Sequence, residues 1–131
     1  MAKTLVYQLY PLSWKTGFVG MAQHLSRIAS LDVDYVRLSP IYDSPFQDGG
    51  YDVANYMFIP RRFDRDCRFH EFVEQAHDLG LGVVLDLPIS QTSTSHRWFD
   101  VHPEYYCWSR RDYRGWYNLF DGGPAWHYLI S

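Results

Sequence analysis

The segment Thr4-Leu5-Val6-Tyr7-Gln8-Leu9-Tyr10, stopped by Pro11, is a short and mostly apolar run that predicts a buried strand over residues 4–10. After a loop containing Gly17 and Gly20, the residues Met21, Leu25, Ile28 and Ala29 recur at helical spacing, which predicts a helix over 20–31. Asp32 stands where a glycine commonly closes a helix, a place an Asp fills by taking the left-handed conformation. Residues 34–39 predict a second strand, and 40–65 a long loop. Phe69, Phe72, Val73, Ala76 and Leu79 then fall on one face at i, i+3, i+4, i+7 and i+10, a helix over 66–79 with Gly80 as its stop. Gly82-Val83-Val84-Leu85-Asp86-Leu87 reads as a third strand ending at Pro88.

Strands of near-continuous apolar character alternating with helices predict a parallel sheet with right-handed crossovers, hence an α/β fold. In such sheets ligands gather at the carboxyl ends of the strands. Asp48, Tyr51, Asp52 and Asp86 all fall at or just beyond those ends. From residue 88 the periodicity is lost. The run Ser90-Gln91-Thr92-Ser93-Thr94-Ser95 and the many aromatics after Trp98 predict a loop-rich excursion and not another βα unit. The aromatics there fit a small aromatic core or, alternatively, a wall facing carbohydrate. The chain divides on this reading into residues 1–88, a partial βα barrel, and 89–131, the start of a loop-rich insertion.

Composition narrows the function. A chain of 131 residues that is 47% hydrophobic can bury a core. Its net charge of −3, with acids and bases interspersed, gives no footprint for nucleic acid and no basic amphipathic stretch for a membrane surface. No apolar run approaches the roughly 20 residues of a membrane span, and the amino terminus lacks a signal-peptide core, so a cytoplasmic location is expected. Cys67 and Cys107 form no C-x-x-C motif and read as reduced thiols, with a disulfide as the alternative. The six histidines make no H-x-x-x-H or H-E-x-x-H pair, and no G-x-S-x-G elbow is present, so neither a metal site nor a serine hydrolase is expected.

The loop Asp48-Gly49-Gly50-Tyr51-Asp52 carries the candidate chemistry. A sugar offers a ring of hydroxyls and an apolar C–H face, and acceptors beside an aromatic ring match both. Asp48 and Asp86 could alternatively form a catalytic carboxylate pair, or Asp52 and Asp86 could cap strand ends or pair with a cation such as Arg37.

Several segments together carry a resemblance. Val6-Tyr7-Gln8-Leu9-Tyr10-Pro11, Val33 through Tyr42, Gly50-Tyr51-Asp52-Val53-Ala54-Asn55-Tyr56, Ala76 through Leu87 and Thr92-Ser93 with His96-Arg97-Trp98-Phe99 resemble the start of the α-amylase superfamily of glycoside hydrolases. The likeness is nearest to its α-glucosidase, oligo-1,6-glucosidase and trehalose synthase branch. Gly115 through Phe120 and Gly123 through Trp126 resemble the aromatic-rich insertion after the third barrel strand. The resemblance implies the amino-terminal part of a TIM (β/α)8 barrel and a substrate that is an α-glucoside or maltooligosaccharide.

It also implies roles. Asp48 matches an aspartate that accepts hydrogen bonds from a terminal glucose, Tyr51 a tyrosine stacked beneath the same ring, and Asp86 a supporting aspartate at the end of the third strand. Where the family has Asn-His, this chain has Ser90 and Gln91, and Gln91 can still donate and accept but cannot act as an imidazole. Ser13-Trp14-Lys15-Thr16-Gly17 offers no carboxylate where some members bind calcium. Phe63-Asp64 stands for a phenylalanine-glycine turn, and Asn55 for a usual aspartate.

The retaining chemistry of the family needs a nucleophile and an acid/base carboxyl about 5–5.5 Å apart. The resemblance puts them on the fourth and fifth strands, beyond Ser131, so no catalytic residue, cofactor or metal is assigned. Three readings stay open: part of an α-glucoside hydrolase or transglycosylase, inactive alone; a non-catalytic carbohydrate-binding module; or a degenerate remnant. Three strands leave barrel edges open, which a second chain supplying the rest of the barrel, or self-association, would cover.

Overall fold

The computed structural model describes residues 3–64, 67–106 and 127–129. Cys107 and most of the aromatics counted after it lie outside them. The chain forms two compact units, one of residues 1–41 and 59–87, the other of residues 42–58 and 88–131.

The first unit holds the parallel sheet. Strands β1 (Val6–Leu9), β2 (Tyr35–Leu38) and β3 (Gly82–Leu85) lie in the order β1-β2-β3, with Val6 opposite Tyr35 and Tyr35 opposite Gly82. Helices α1 (Gly17–Ala22) and α2 (Leu25–Ala29) connect β1 to β2, and α3 (Phe69–Asp78) precedes β3. Side chains alternate across a strand, so β2 buries Val36 and Leu38 and exposes Tyr35 and Arg37. The core joins Val36 and Leu38 with Phe18, Met21, Leu25, Ile28, Phe72, Ala76 and Leu81. Phe18 meets the rings of Phe69 and Phe72 at 4.9 and 5.6 Å. Burying side chains of this size contributes about 1.5–3 kcal/mol each, which anchors both helices to the sheet.

The helix expected over 20–31 is two helices. Its apolar face is as expected, since Met21, Leu25 and Ile28 are all buried. The winding tightens at Gln23–His24, where the His24 amide donates to the Met21 carbonyl three residues back, and the His24 ring sits edge-on to Trp14 at 4.9 Å. Asp32 has φ +57, the left-handed closure its position predicted. At the end of α3 the Leu81 amide donates to Ala76 and the Gly80 amide to His77, a Schellman stop with Gly80 at φ +78.

The second unit contains an antiparallel pair, β4 (Gln91–Ser93) with β5 (His127–Leu129), a short helix α4 (Arg97–Val101) and a turn of 3-10 helix at Pro103–Tyr105. Residues 42–58 belong to this unit. There Asp43 and Asn55 form an isolated antiparallel bridge, and the Ser93 amide donates to the Val53 carbonyl at 2.8 Å.

Candidate active site

Asp52 organises the loop that carries the candidate sugar contacts. Its carboxylate is fully buried and accepts from the Ser44 hydroxyl at 2.7 Å, the Gln47 amide at 3.1 Å and the Asp48 amide at 3.2 Å. The Ser44 hydroxyl in turn accepts from the Phe46 amide at 2.8 Å. A buried carboxylate is tolerable only when donors surround it, and here backbone amides supply most of them. The turn from Asp48 closes when the Tyr51 amide donates to the Asp48 carbonyl at 2.9 Å, with Gly49 and Gly50 at φ +59 and +100. Side chains rarely adopt these angles, so the two glycines let Asp48 and Tyr51 stand either side of so tight a bend. Both residues are half-buried.

Gln91, at the start of β4, directs its side-chain amide to the Tyr51 carbonyl at 3.4 Å, a long contact. Asp48, Tyr51 and Gln91 therefore share one unit. Asp86 belongs to the other unit, just past the end of β3, where Arg37 grips it through Nε at 2.6 Å and Nη2 at 2.9 Å. This is the arginine pairing that the sequence left open as an alternative for Asp86. A fork-to-fork contact of this kind fixes the carboxylate's orientation as well as its charge.

Three supporting residues fall in segments that carry the resemblance, but the sequence assigned them no role. The Tyr56 hydroxyl lies 2.5 Å from the Pro88 carbonyl and 2.9 Å from that of Gln91, bracing the stretch that leads into β4. Burial, reinforced by the neighbouring Tyr106 and Tyr42, pushes the Tyr56 phenol up to about 12, so it remains a donor. His96 packs its ring 5.7 Å from Tyr56 and 4.7 Å from Trp98, and its Nδ1 accepts from the Trp98 amide at 3.1 Å, capping α4. Burial lowers the pKa of His96, which favours the neutral ring that this cap requires. Thr92 meets the Tyr106 hydroxyl at 2.7 Å beneath β4. Of the late aromatics that are described, Tyr106 is buried while Trp98 and Tyr105 remain exposed and pack edge-on at 5.9 Å.

The profile of the family described as "Alpha amylase, catalytic domain" matches residues 13–128, most of the chain. The chain belongs to the α-amylase family. The sheet of this α-amylase-family chain is accordingly the amino-terminal portion of a TIM barrel. It is 34% identical over 145 aligned positions to the probable oligo-1,6-glucosidase 3 of Bacillus subtilis, covering 96% of this chain and 26% of that protein. It is 35% identical to the trehalose-6-phosphate hydrolase of the same organism, covering 95% of this chain and 26% of that protein. Among solved structures, the trehalose-6-phosphate hydrolase of Bacillus licheniformis superposes with a TM-score of 0.73 at 27% identity, over 97% of this chain and 28% of that one. The α-amylase-family chain thus spans about a quarter of the length of the relatives it matches. Among its described residues, no helix is long and apolar enough to cross a membrane.

Proposed function

We propose that this chain holds the terminal glucose of an α-glucoside or maltooligosaccharide for hydrolysis or glucosyl transfer. Asp48 accepts hydrogen bonds from the sugar hydroxyls, Tyr51 stacks beneath the ring, and Gln91 of the same unit supports the site. The observation that carries this reading is the Asp52 anchor, which fixes the bend between Asp48 and Tyr51 through three donors to one buried carboxylate. A preset loop of this kind spares a ligand the cost of ordering it. The names of the relatives, an oligo-1,6-glucosidase and trehalose-6-phosphate hydrolases, support the substrate class.

The paired carboxylates of a retaining mechanism have no match among these 131 residues. We therefore assign this chain to positioning, with the acids supplied by further polypeptide, in the same chain or a second one. Maltose, isomaltose and trehalose titrated into the chain should give a saturable change in tryptophan fluorescence. Tyr51→Ala should weaken it by roughly tenfold, the scale of a lost aromatic contact at a binding centre. p-Nitrophenyl α-glucoside should not be turned over by the 131 residues alone. A chain folded by circular dichroism that shows no saturable response to any of the three sugars would overturn the assignment.

A further inference from the structure

A cavity lies wholly within the first unit and shares no residue with the proposed glucose site. Its volume is about 630 Å³, within the range of small-molecule pockets, and Lys15, Thr16, Arg61, Arg62 and Arg68 line it. Four of the chain's 12 lysines and arginines are thus among the residues lining one concavity, although the chain as a whole carries a charge of −3. No acidic side chain is among its described lining residues. Glu71, just outside, engages Arg68 Nη1 with both carboxylate oxygens.

The cations are gathered by the fold. The Phe18 amide donates to the Phe63 carbonyl at 3.0 Å, clasping the segment after β1 to the segment before α3. Gly17 stands at φ +58, and a Cβ there would lie 2.1 Å from that same carbonyl oxygen, so the clasp closes only on a glycine. It sets Lys15 and Thr16 on one rim, with Arg61 and Arg62 on the other. The rim of Lys15 and Thr16 comes soon after the carboxyl end of β1, the side on which βα folds bind ligands. A concave site lined by several cationic side chains concentrates positive potential, which an anion complements. Guanidinium forks match phosphate oxygens in pairs, the lysine adds a point charge and Thr16 a hydroxyl donor. Val19 supplies an apolar patch at the same cavity.

We propose that this cavity binds the phosphate ester of a small metabolite, with the phosphate among Lys15, Arg61 and Arg62 and the organic body against Val19. Isothermal titration at low ionic strength, where screening is weakest, tests this with inorganic phosphate, glycerol 3-phosphate and adenosine monophosphate. None of these carries glucose, so the outcome is separate from that of the sugar titration. Saturable binding of at least one ester, no weaker than that of inorganic phosphate, is expected. The double variant Arg61→Gln/Arg62→Gln should weaken it by roughly tenfold or more, the scale of lost charge-assisted hydrogen bonds. Glu71→Gln should tighten it by releasing Arg68, while Arg27→Gln, on α2 and outside the cavity, should leave it unchanged. Circular dichroism checks the fold of each variant. Binding of neither ester to the unaltered chain, an affinity unmoved by the double variant, or an equal loss in Arg27→Gln would each overturn the proposal.

Discussion

The carboxylate of Asp52 is out of contact with solvent, and its partners on residues 44, 47 and 48 all belong to the loop it ends. Removing it would leave two backbone amides and a hydroxyl facing a space that water fills poorly. Leaving such groups unsatisfied costs about 1–3 kcal/mol each before relaxation, so Asp52→Ala is expected to lose about 2–4 kcal/mol. Asp52→Asn keeps an acceptor and the volume and should lose less. Urea denaturation read by fluorescence measures both, and an unchanged midpoint for Asp52→Ala would mean that the loop is held by something else. Arg37 and Asp86 present a different case. Arg37 is substantially exposed, so solvent screens that pair and its role is better read as orientation than as stability.

Among the elements, the clasp between α1 and the segment before α3 depends on one glycine, while the stop of α3 depends on another for a different reason. A Cβ on Gly80 would meet nothing within 4 Å, so Gly80→Ala isolates the cost of the left-handed backbone, about 1–2 kcal/mol. A Cβ on Gly17 pays the same cost and also meets a backbone oxygen that cannot swing aside. Gly17→Ala is therefore expected to lose on the order of 3 kcal/mol or more, and equal losses in thermal melts of the two variants would show that the clasp yields. The Gly80 stop was legible because it is local: five apolar residues at helical spacing followed by a glycine define α3 to within a few residues of the predicted 66–79. The left-handed Asp32 was legible on the same grounds. The break at Gln23–His24 was not, since no glycine or proline marks it and it accompanies a ring contact with Trp14. The loop residues Asp48, Tyr51 and Asp52 stood out by composition, but the brace from Tyr56 to carbonyls 32 and 35 residues onward joins segments that no local pattern connects. The parallel sheet was legible from strands alternating with helices, whereas long-range side-chain bonds are selected by packing, which becomes visible only once the chain is folded.

For the molecule as a whole, a buried ring and a half-buried one in the same unit set opposite limits on the pH range of stability. His96 has its pKa lowered by burial, so between that value and the ordinary 6.5 the unfolded chain binds the proton more readily than the folded one. Its contribution is present above about pH 6.5 and is lost as the pH falls through the lowered value. Protonation would also place a proton on Nδ1, the acceptor for the Trp98 amide, and so remove the cap of α4. Tyr56 moves the other way. Its phenol is raised from 10.0 to about 12, so the folded chain holds its proton longer than the unfolded one. That contribution is complete below pH 10 and disappears as the pH rises through about 12. Because the two rings lie 5.7 Å apart, loss of either should loosen the same unit, the one that carries Asp48, Tyr51 and Gln91. Stability measured by urea midpoint across a pH series should therefore form a plateau with an acid and an alkaline shoulder. His96→Asn should flatten the acid shoulder and leave the alkaline one, and Tyr56→Phe should do the reverse. Shoulders that persist unchanged in both variants would place the titrating groups elsewhere in the chain.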